Sequence, residues 1–173
     1  RQGPLRVAPP GRLARTDPLT GARNRQAFIE ILEKEISRYQ RFSHSFSIAY
    51  IDCDNFKEVN DRFGHKAGDS LLKTLVETVK GRMRTMDVFA RLGGDEFAVL
   101  MPETDETNAV EAAERIRKQL ADIMDEHHWP VTVSIGVSVF KGDEKSPEEV
   151  INKADKLMSS AKNNGKNRVA CQS

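Results

Sequence analysis

The sequence lacks the features that mark secreted proteins, membrane spans and proteins that coat nucleic acids. Its 173 residues include only two cysteines, Cys53 and Cys171, which cannot make a disulfide framework and favour a reducing compartment such as the cytoplasm. No apolar run approaches the ~18 residues of a membrane span, and no signal-peptide pattern is present. Lysine and arginine number 27 and acids 26, for a net charge of +1. Bulk charge therefore gives no support for binding a nucleic-acid polymer or a membrane surface.

The first residues differ in composition from the rest of the chain. Residues 1–15 carry three prolines, two glycines and four arginines without an acid, which predicts a linker. Its basic charge could lie beside a membrane face or be simply solvated. Because the chain opens with Arg1 rather than Met, we expect a fragment that follows an upstream domain. Residues 16–173 are long enough to form one domain with a buried core.

Hydrophobic periodicity in residues 16–173 predicts alternating helices and strands. Apolar side chains at helical spacing predict four helices, within 28–39, 71–79, 113–123 and 147–161. Apolar and β-branched runs predict three strands and a hairpin, at 46–52, 131–140, 167–171 and 89–101. Asp69 or Ser70 is the expected N-cap of the second helix. This order predicts an α/β fold in which helices cover one sheet.

The stretch RLGGDEFAVL, residues 91–100, places two acids at the bend of the predicted hairpin. Gly93 and Gly94 come first, Asp95 and Glu96 follow, and apolar residues flank the four. Burying an unpaired carboxylate costs several kcal/mol unless a cation or hydrogen bonds compensate. Either the turn is exposed and its acids face water, or something positive is held there.

A second pair of acids, Asp52 and Asp54, ends the first predicted strand. If this strand neighbours the hairpin, the four carboxylates converge on one edge of the sheet, where two charges about 4 Å apart repel by about 4 kcal/mol in an effective dielectric of about 20. Mg²⁺ bound together with substrate phosphates would relieve this, and Gly93 and Gly94 would permit positive φ and close approach of a phosphate. In the alternative, Asp54 caps the turn that follows it and the hairpin acids are solvated. The residues alone leave both alternatives open.

Four blocks of sequence together resemble the GGDEF-domain family, the diguanylate cyclases. They occur in the family's order and span residues 17 to about 170. The blocks are DPLTGARNR (17–25), DCDNFKEVNDRFGHKAGD (52–69), RLGGDEF (91–97) and AKNNGKNRV (161–169). GGDEF alone would be a match of modest value, whereas four spaced blocks make a chance match very unlikely.

The resemblance implies a fold and an activity. The fold would be a palm-like α/β domain, with one mixed or antiparallel sheet of about five strands and a ferredoxin-like core similar to that of nucleotidyl cyclases. The reaction would condense two GTP molecules into cyclic di-GMP and release two pyrophosphates. Each protomer of a homodimer would hold one GTP, with the two active sites facing each other.

The resemblance also implies a site for two Mg²⁺ ions, with Mn²⁺ as a possible substitute. Asp52 and Asp95 would be ligands through their carboxylates and Cys53 through its backbone carbonyl, although the family more often has an aliphatic residue at position 53. One ion would polarise the α-phosphate and the other would neutralise the leaving pyrophosphate. Glu96 would either help to bind the second metal or handle the hydroxyl proton, and Asp95, Glu96 and Lys57 form the expected catalytic set.

Guanine recognition would fall to Asn60 and Asp69. A carboxylate accepts from both N1–H and the exocyclic amine of guanine, whereas adenine lacks that pair of donors. Read without the resemblance, Asp69 is simply a helix cap.

The triphosphate would lie beside Gly93 and Gly94 and contact three lysines. Lys57 and Lys162 would bind its oxygens, and Lys57 could also stabilise charge that develops in the transition state. Lys166 stands where the family usually has arginine. It keeps the charge and loses the bidentate fork, so phosphate orientation there is expected to be looser.

A regulatory site is suggested by RTMD, residues 84–87. The Arg-x-x-Asp spacing, with five residues between Asp87 and the glycine pair, resembles the family's inhibitory product site. The fork of Arg84 suits guanine O6 and N7, and Asp87 can accept from the N1 and N2 side. Arg115 would supply a further contact. As a bare pattern, R-x-x-D is more often an ion pair at a helix end.

Three functions from different classes remain. The first is an active cyclase, inhibited by its product and working in the cytoplasm. The second is a silent module that binds GTP or cyclic di-GMP and signals to a partner; the signature glycines and acids are all present, which favours activity. The third is a palm-type transferase acting on a polynucleotide, which would need a basic groove.

Overall fold

The computed structural model describes residues 14–172 of the chain, so most of the predicted linker, residues 1–13, lies outside the described part. Over the described residues the chain forms five helices and five strands. The helices are α1 (Arg25–Phe42), α2 (Phe56–Phe63), α3 (His65–Lys80), α4 (Glu106–Glu126) and α5 (Pro147–Asn163). The strands are β1 (Phe46–Asp54), β2 (Val88–Arg91), β3 (Glu96–Pro102), β4 (Thr132–Phe140) and β5 (Val169–Cys171).

The strands form one mixed sheet in the order β2-β3-β1-β4-β5. The central strand β1 is antiparallel to both β3 and β4, and the short edge strand β5 is parallel to β4. In the β1–β3 register Asp52 lies opposite Glu96. The predicted α/β fold with a single helix-covered sheet is confirmed. The condition for the acids to converge is met, because β1 and the hairpin strand β3 are neighbours.

Alternation along β1 divides the core into two layers. Ile48 and Tyr50 pack with residues of α1 and α5, whereas Ile51 and Cys53 pack with residues of α3 and α4. By the same alternation Asp52 continues the face of Tyr50 beyond the end of the apolar layer. Asp52 is the one residue of β1 that is not fully buried, and this end of the strand carries the candidate site.

One helix was not predicted, and the start of another was predicted wrongly. Helix α2 follows Asn55, which has a φ of 64°, and buries only Val59, so it has no apolar stripe to detect. Gly64, with a φ of 89°, ends α2 and immediately precedes α3. Asp69 and Ser70 therefore lie inside α3 and do not cap it. The alternative in which Asp54 caps the next turn is also wrong, because no side chain caps α2.

The start of the described chain is already fastened to the domain. The side-chain amide of Asn24 donates to the carbonyl of Ala14 over 2.8 Å, and its backbone N–H donates to the carbonyl of Arg15 over 2.9 Å. The boundary at residue 16 remains a prediction. Among the described residues, no helix has the length and apolar character needed to cross a membrane.

Candidate active site

The carboxylates of Asp52 and Asp95 are close enough at the end of β1 for each to affect the pKa of the other. The backbone also joins the two segments, since the N–H of Cys53 donates to the carbonyl of Asp95 over 3.2 Å. Burial, and next the negative charge of Asp95, raise the pKa of Asp52 to about 7. Burial raises the pKa of Asp95 as well. Two half-buried carboxylates this close together resist being ionised at the same time. A bound cation would stabilise their ionised forms.

Lys162, near the end of α5, supplies one positive charge to this site. Its ammonium lies 3.1 Å from Oδ1 of Asp54, 3.7 Å from Oδ2 of Asp52 and 3.5 Å from the carbonyl oxygen of Cys53. Burial alone would lower the pKa of Lys162, but the hydrogen bond to Asp54 and the charge of Asp52 outweigh it and raise the pKa. The lysine therefore stays protonated where the triphosphate was predicted.

Asp54 is fully buried, and four donors surround its carboxylate. Beyond Lys162, the hydroxyls of Thr132 and Ser134 on β4 donate to it over 2.7 and 2.8 Å, and the backbone N–H of Asn167 donates over 3.0 Å. Burial alone would raise the pKa of Asp54, but these hydrogen bonds outweigh it and lower the pKa. Asp54 is thus an ionised side chain with its own partners, separate from the Asp52–Asp95 pair.

Glu96 is bound to a residue that sequence reasoning missed. The hydroxyl of Tyr50 donates to Oε2 of Glu96 over 2.8 Å, and burial, followed by this hydrogen bond, raises the pKa of Tyr50. Tyr50 precedes Asp52 by two positions, so strand alternation was the signal that could have placed it on the same face. The structure brings Glu96 to the site edge and leaves its role as a base or metal ligand a prediction.

Within the domain, only the first of the two glycines in the signature turn lies close to a neighbouring side chain. Neither Gly93 nor Gly94 has a positive φ, so the prediction that they permit left-handed backbone is wrong. A Cβ on Gly93 would lie 3.1 Å from the carboxylate of Glu96, whereas the position of a Cβ on Gly94 is open. The turn is held from outside instead, because the guanidinium of Arg91 donates to the carbonyls of both glycines.

The two predicted guanine-binding residues lie on neighbouring helices, and the side chain of Asn60 lies against Gly68, the residue before Asp69. Asn60 is partly buried on α2 and Asp69 is exposed on α3. Between them Gly68 is buried, and a Cβ there would overlap Oδ1 of Asn60 and approach the ring of Phe56 to 3.2 Å. The missing side chain of Gly68 therefore makes the space that Asn60 occupies beside Asp69.

The remaining predicted phosphate ligands are exposed. Lys57 lies on the first turn of α2 with its side chain in solvent. Lys166 lies in the loop after α5 with a φ of 63°, and its ammonium donates to Oδ1 of Asn55 over 2.9 Å. Asn55, itself at a φ of 64°, thus holds the lysine that replaces the expected arginine.

The donor chemistry fits Mg²⁺ when backbone and substrate oxygens are included. Across residues 14–172, no group of three or more His, Cys, Asp or Glu side chains is placed to ligate one ion. A site on Asp52 and Asp95 therefore depends on other oxygens, such as the carbonyl of Cys53 and phosphates. Few carboxylates together with substrate oxygens is the ligand set typical of Mg²⁺ in nucleotide sites.

The residues of the predicted inhibitory site line one pocket of about 220 Å³, away from the acids. Arg84 and Asp87 form an ion pair of 3.0 Å, as the alternative interpretation expected. Arg84 also donates to the carbonyl of Pro102 and the hydroxyl of Thr104 over 3.0 and 2.6 Å. Arg115 reaches the same pocket from α4.

Comparison with known proteins decides the family. The family described as "Diguanylate cyclase, GGDEF domain" has a sequence model that matches residues 14–168, nearly all of the described chain. The chain belongs to the GGDEF-domain family of diguanylate cyclases. The predicted family is therefore confirmed, and with it the palm-like fold.

Individual relatives agree with this assignment. Diguanylate cyclase DgcP of Pseudomonas aeruginosa is 39% identical over 161 residues, which are 90% of this chain and 24% of DgcP. Diguanylate cyclase DgcM of Escherichia coli K12 is 37% identical over 90% of this chain and 38% of DgcM. The chain thus spans between a quarter and two fifths of these relatives. The GGDEF domain of DgcB from Caulobacter crescentus, solved in complex with c-di-GMP, superposes with a TM-score of 0.82 at 28% identity, covering 92% of this chain and 96% of that domain.

Several residues of this GGDEF domain came to light only in the structure. Asp17 accepts hydrogen bonds from Arg91, and both stand in blocks that carried the resemblance. Tyr50, Gly68 and the buried role of Asp54 were also missed. Strand alternation could have placed Tyr50 on the face of Asp52, but the partners of these residues belong to other helices, strands or loops and could not be found from the sequence.

Proposed function

We propose that this domain condenses two GTP molecules into cyclic di-GMP and releases two pyrophosphates. The observation that carries the proposal is the approach of the Asp52 and Asp95 carboxylates beside Lys162 at the open end of β1. Membership of the diguanylate cyclase family supports the substrate class. The named cyclases among its relatives support the reaction.

The acids of the site would bind the metal that the reaction needs. Asp52, Asp95 and the carbonyl of Cys53 would hold Mg²⁺, two ions per site when GTP is bound, and these would polarise the α-phosphate and neutralise the pyrophosphate. Binding requires both acids to be ionised, which their raised pKa values oppose. A cation at this position would therefore be stabilised by the charge that the fold leaves uncompensated.

The rest of the site would bind and orient GTP. Asn60 and Asp69 would contact the guanine edge, where the carboxylate accepts from N1–H and the exocyclic amine. Lys57, Lys162 and Lys166 would bind phosphate oxygens, and Gly94 would let the triphosphate approach the backbone, since nothing lies within 4 Å of a Cβ built there. Glu96, which accepts a hydrogen bond from Tyr50, would either help to bind the second metal or take part in proton removal from the 3′-hydroxyl.

A single site of this kind would bind one GTP, so the condensation would need two protomers with their sites face to face. We propose that the active form is a homodimer. The partners are then GTP, cyclic di-GMP and a second copy of the domain, with no nucleic-acid polymer, and the working compartment is the cytoplasm. Two cysteines left free in the described chain support a reducing location.

Turnover at rising protein concentration tests the proposal. The domain is incubated with GTP and Mg²⁺, and cyclic di-GMP is separated by chromatography. Product formation should rise faster than linearly with protein and vanish in Asp95→Ala, while Asp122→Ala on the exposed part of α4 should behave as wild type. Binding of GTP without product at any concentration, even when the domain is fused to a dimeriser, would instead establish the silent module.

We further propose that cyclic di-GMP inhibits turnover at the pocket of Arg84, Asp87 and Arg115. The guanidinium groups can face guanine O6 and N7, and Asp87 can accept from the opposite edge. Arg84 would first exchange its contacts with Thr104 and Pro102 for the ligand. Arg84→Ala should abolish product inhibition, whereas Lys118→Ala on the same helix as Arg115 should keep it. Equal inhibition in wild type and Arg84→Ala would remove the site.

A further inference from the structure

We propose that Asp54 is a positioning residue that holds the phosphate-binding end of α5 and its following loop against the strand that carries Asp52. Asp54 was predicted only as a member of the acidic edge or as a cap, and it is neither a cap nor paired with Asp95. The proposal rests on the proposed function only in naming the triphosphate as the ligand of Lys162. The anchoring itself is a statement about the domain without nucleotide.

The contacts of Asp54 join three other segments to β1. Oδ1 accepts from the ammonium of Lys162 over 3.1 Å and from the hydroxyl of Ser134 over 2.8 Å. Oδ2 accepts from the hydroxyl of Thr132 over 2.7 Å and from the backbone N–H of Asn167 over 3.0 Å. Two donors belong to β4, and the other two flank the loop that carries Lys166.

Burial makes this carboxylate a strong anchor. Asp54 is 0% exposed, and an ionised group at such a position is tolerated only where hydrogen bonds and a countercharge surround it. Lys162, whose side chain is 27% exposed, supplies that charge and faces the site with its remaining surface. The ammonium of Lys162 thus donates to the buried carboxylate of Asp54, while the exposed part of its side chain remains accessible to a phosphate.

The two oxygens make substitution by asparagine informative. An amide has one acceptor atom in place of two, and its NH₂ group can only donate. Thr132 and Ser134 can rotate their hydroxyls and accept from that NH₂. Lys162 and the N–H of Asn167 cannot, because both are donors only. Whichever way the amide is turned, Asp54→Asn therefore leaves one contact of the phosphate-binding segment without an acceptor.

The first measurement uses binding without turnover. The ligand 3′-deoxy-GTP lacks the attacking hydroxyl, so it binds in the presence of Mg²⁺ and cannot condense. Asp54→Asn should weaken its binding about 10-fold, the usual effect of losing one hydrogen bond to a charged group. Ser134→Ala removes a hydroxyl that donates to the same carboxylate of Asp54 but leaves the contact with Lys162 in place. It should therefore change ligand binding less than about twofold.

A double-mutant cycle separates positioning from general destabilisation. If Asp54 acts through Lys162, the effect of Asp54→Asn should largely disappear in a Lys162→Gln background. Denaturant unfolding of each variant gives its stability. The proposal is overturned if Asp54→Asn and Ser134→Ala weaken binding equally at matched stability, or if the effect of Asp54→Asn persists in full both in Lys162→Gln and in Lys166→Gln, which changes the lysine beside Asn167.

The last measurement needs neither a variant nor a nucleotide. In the wild-type domain without GTP, the ammonium of Lys162 held by a buried carboxylate should give a ¹⁵Nζ signal in slow exchange with water, and the amide of Asn167 should be protected from hydrogen exchange. A Lys162 signal averaged with solvent and an unprotected Asn167 amide would overturn the anchor even if Asp54→Asn fails to fold. If both signals are present but no nucleotide binds, the proposed function fails and the anchor stands.

Discussion

Arg91 joins the carboxylate of Asp17 to the backbone of the signature turn. Its Nη1 lies 3.1 Å from both oxygens of Asp17. Its Nε donates to the carbonyl of Gly93 over 3.1 Å, and its Nη2 donates to that of Gly94 over 2.7 Å. The guanidinium therefore helps to hold the backbone that leads into Asp95, together with the hydrogen bonds that the backbone N–H groups of Leu92 and Gly93 donate to the carbonyl of Glu96.

The geometry of the fork predicts that lysine cannot replace Arg91. An ammonium keeps the charge but cannot bridge Asp17 and two carbonyls in one plane. Arg91→Lys should lower kcat about 10-fold through misplacement of Asp95, as expected for the loss of one or two charge-assisted hydrogen bonds. Turnover of GTP at saturating Mg²⁺ measures this, with Arg41→Lys on the exposed end of α1 as control. Unchanged kcat in Arg91→Lys would show that the turn holds its shape alone.

The pKa of Asp17 predicts how stability depends on pH. Burial alone would raise this pKa, but hydrogen bonds from Thr20 and Arg91 outweigh it and hold the pKa below its ordinary value of 3.8. A lowered pKa means that the ionised form stabilises the fold, so the contribution is complete above the ordinary value and is lost as pH falls through the folded-state value.

Urea unfolding of the wild type and of Asp17→Asn at a series of pH values tests this. The difference in free energy of unfolding between the two should be constant from about pH 5 to pH 8 and should shrink as the pH falls below about 4. A difference that stays constant down to about pH 3, or grows on acidification, would mean that the Asp17 carboxylate is not stabilised by its partners.

We expect that an alanine in place of Gly68 weakens nucleotide binding while the domain stays folded. Alanine is favoured over glycine within a helix by about 1 kcal/mol, yet a Cβ at this position would overlap the side-chain oxygen of Asn60. Gly68→Ala should therefore weaken GTP binding about 10-fold, equivalent to one lost hydrogen bond to the base, while the helix remains intact by circular dichroism.

Gly81, at the end of α3, gives the matched control. Its φ is −66°, and a Cβ there would meet only backbone oxygens at 3.5 Å. Gly81→Ala should leave GTP binding unchanged. If Gly68→Ala binds GTP as well as Gly81→Ala does, Asn60 does not take part in recognising the base.

We expect that an arginine at position 166, where the family usually has one, strengthens the binding of GTP. A guanidinium can contact two phosphate oxygens at once, whereas the ammonium of Lys166 donates to Asn55 and would have to divide its donors between Asn55 and the proposed triphosphate. Lys166→Arg should lower KM for GTP a few-fold, with Lys156→Arg on the exposed face of α5 as control. A raised KM would show that the contact with Asn55 matters more than the fork.

Much of the fold was predictable because its long elements carry strong patterns. Four helices have apolar stripes, and the hairpin and β4 are nearly continuous apolar runs. Helix α2 escaped because it buries only Val59, and a single buried residue makes no period. Asp69 was predicted as a cap because its side chain suits one. The conformation of Gly64, which no pattern reports, decided where α3 begins.

Some residues of the candidate site could also be predicted from the sequence, whereas others could not. Asp52 and Asp95 could be predicted as neighbours only on the condition that β1 pairs with the hairpin, and the structure meets that condition through the pairing of β1 with β3. The roles of Tyr50, Asp54 and Arg91 depend on partners between 46 and 113 positions away along the chain. A contact of that kind has no local signature, since it exists only once the helices and strands are packed.

The amino-acid sequence by itself determined the element types, the family and the acids that belong at one sheet edge, because period, turn residues and spaced motifs are local properties of the chain. Only the tertiary structure decided that the carboxylate of Asp54 is occupied by hydrogen bonds, whereas that of Asp52 is left for a proposed cation. Asp52 and Asp54 are two positions apart on one strand, yet packing of β4 and α5 surrounds the second with four donors and leaves the first against Asp95. The difference comes from burial and partner geometry, which are set by the whole fold.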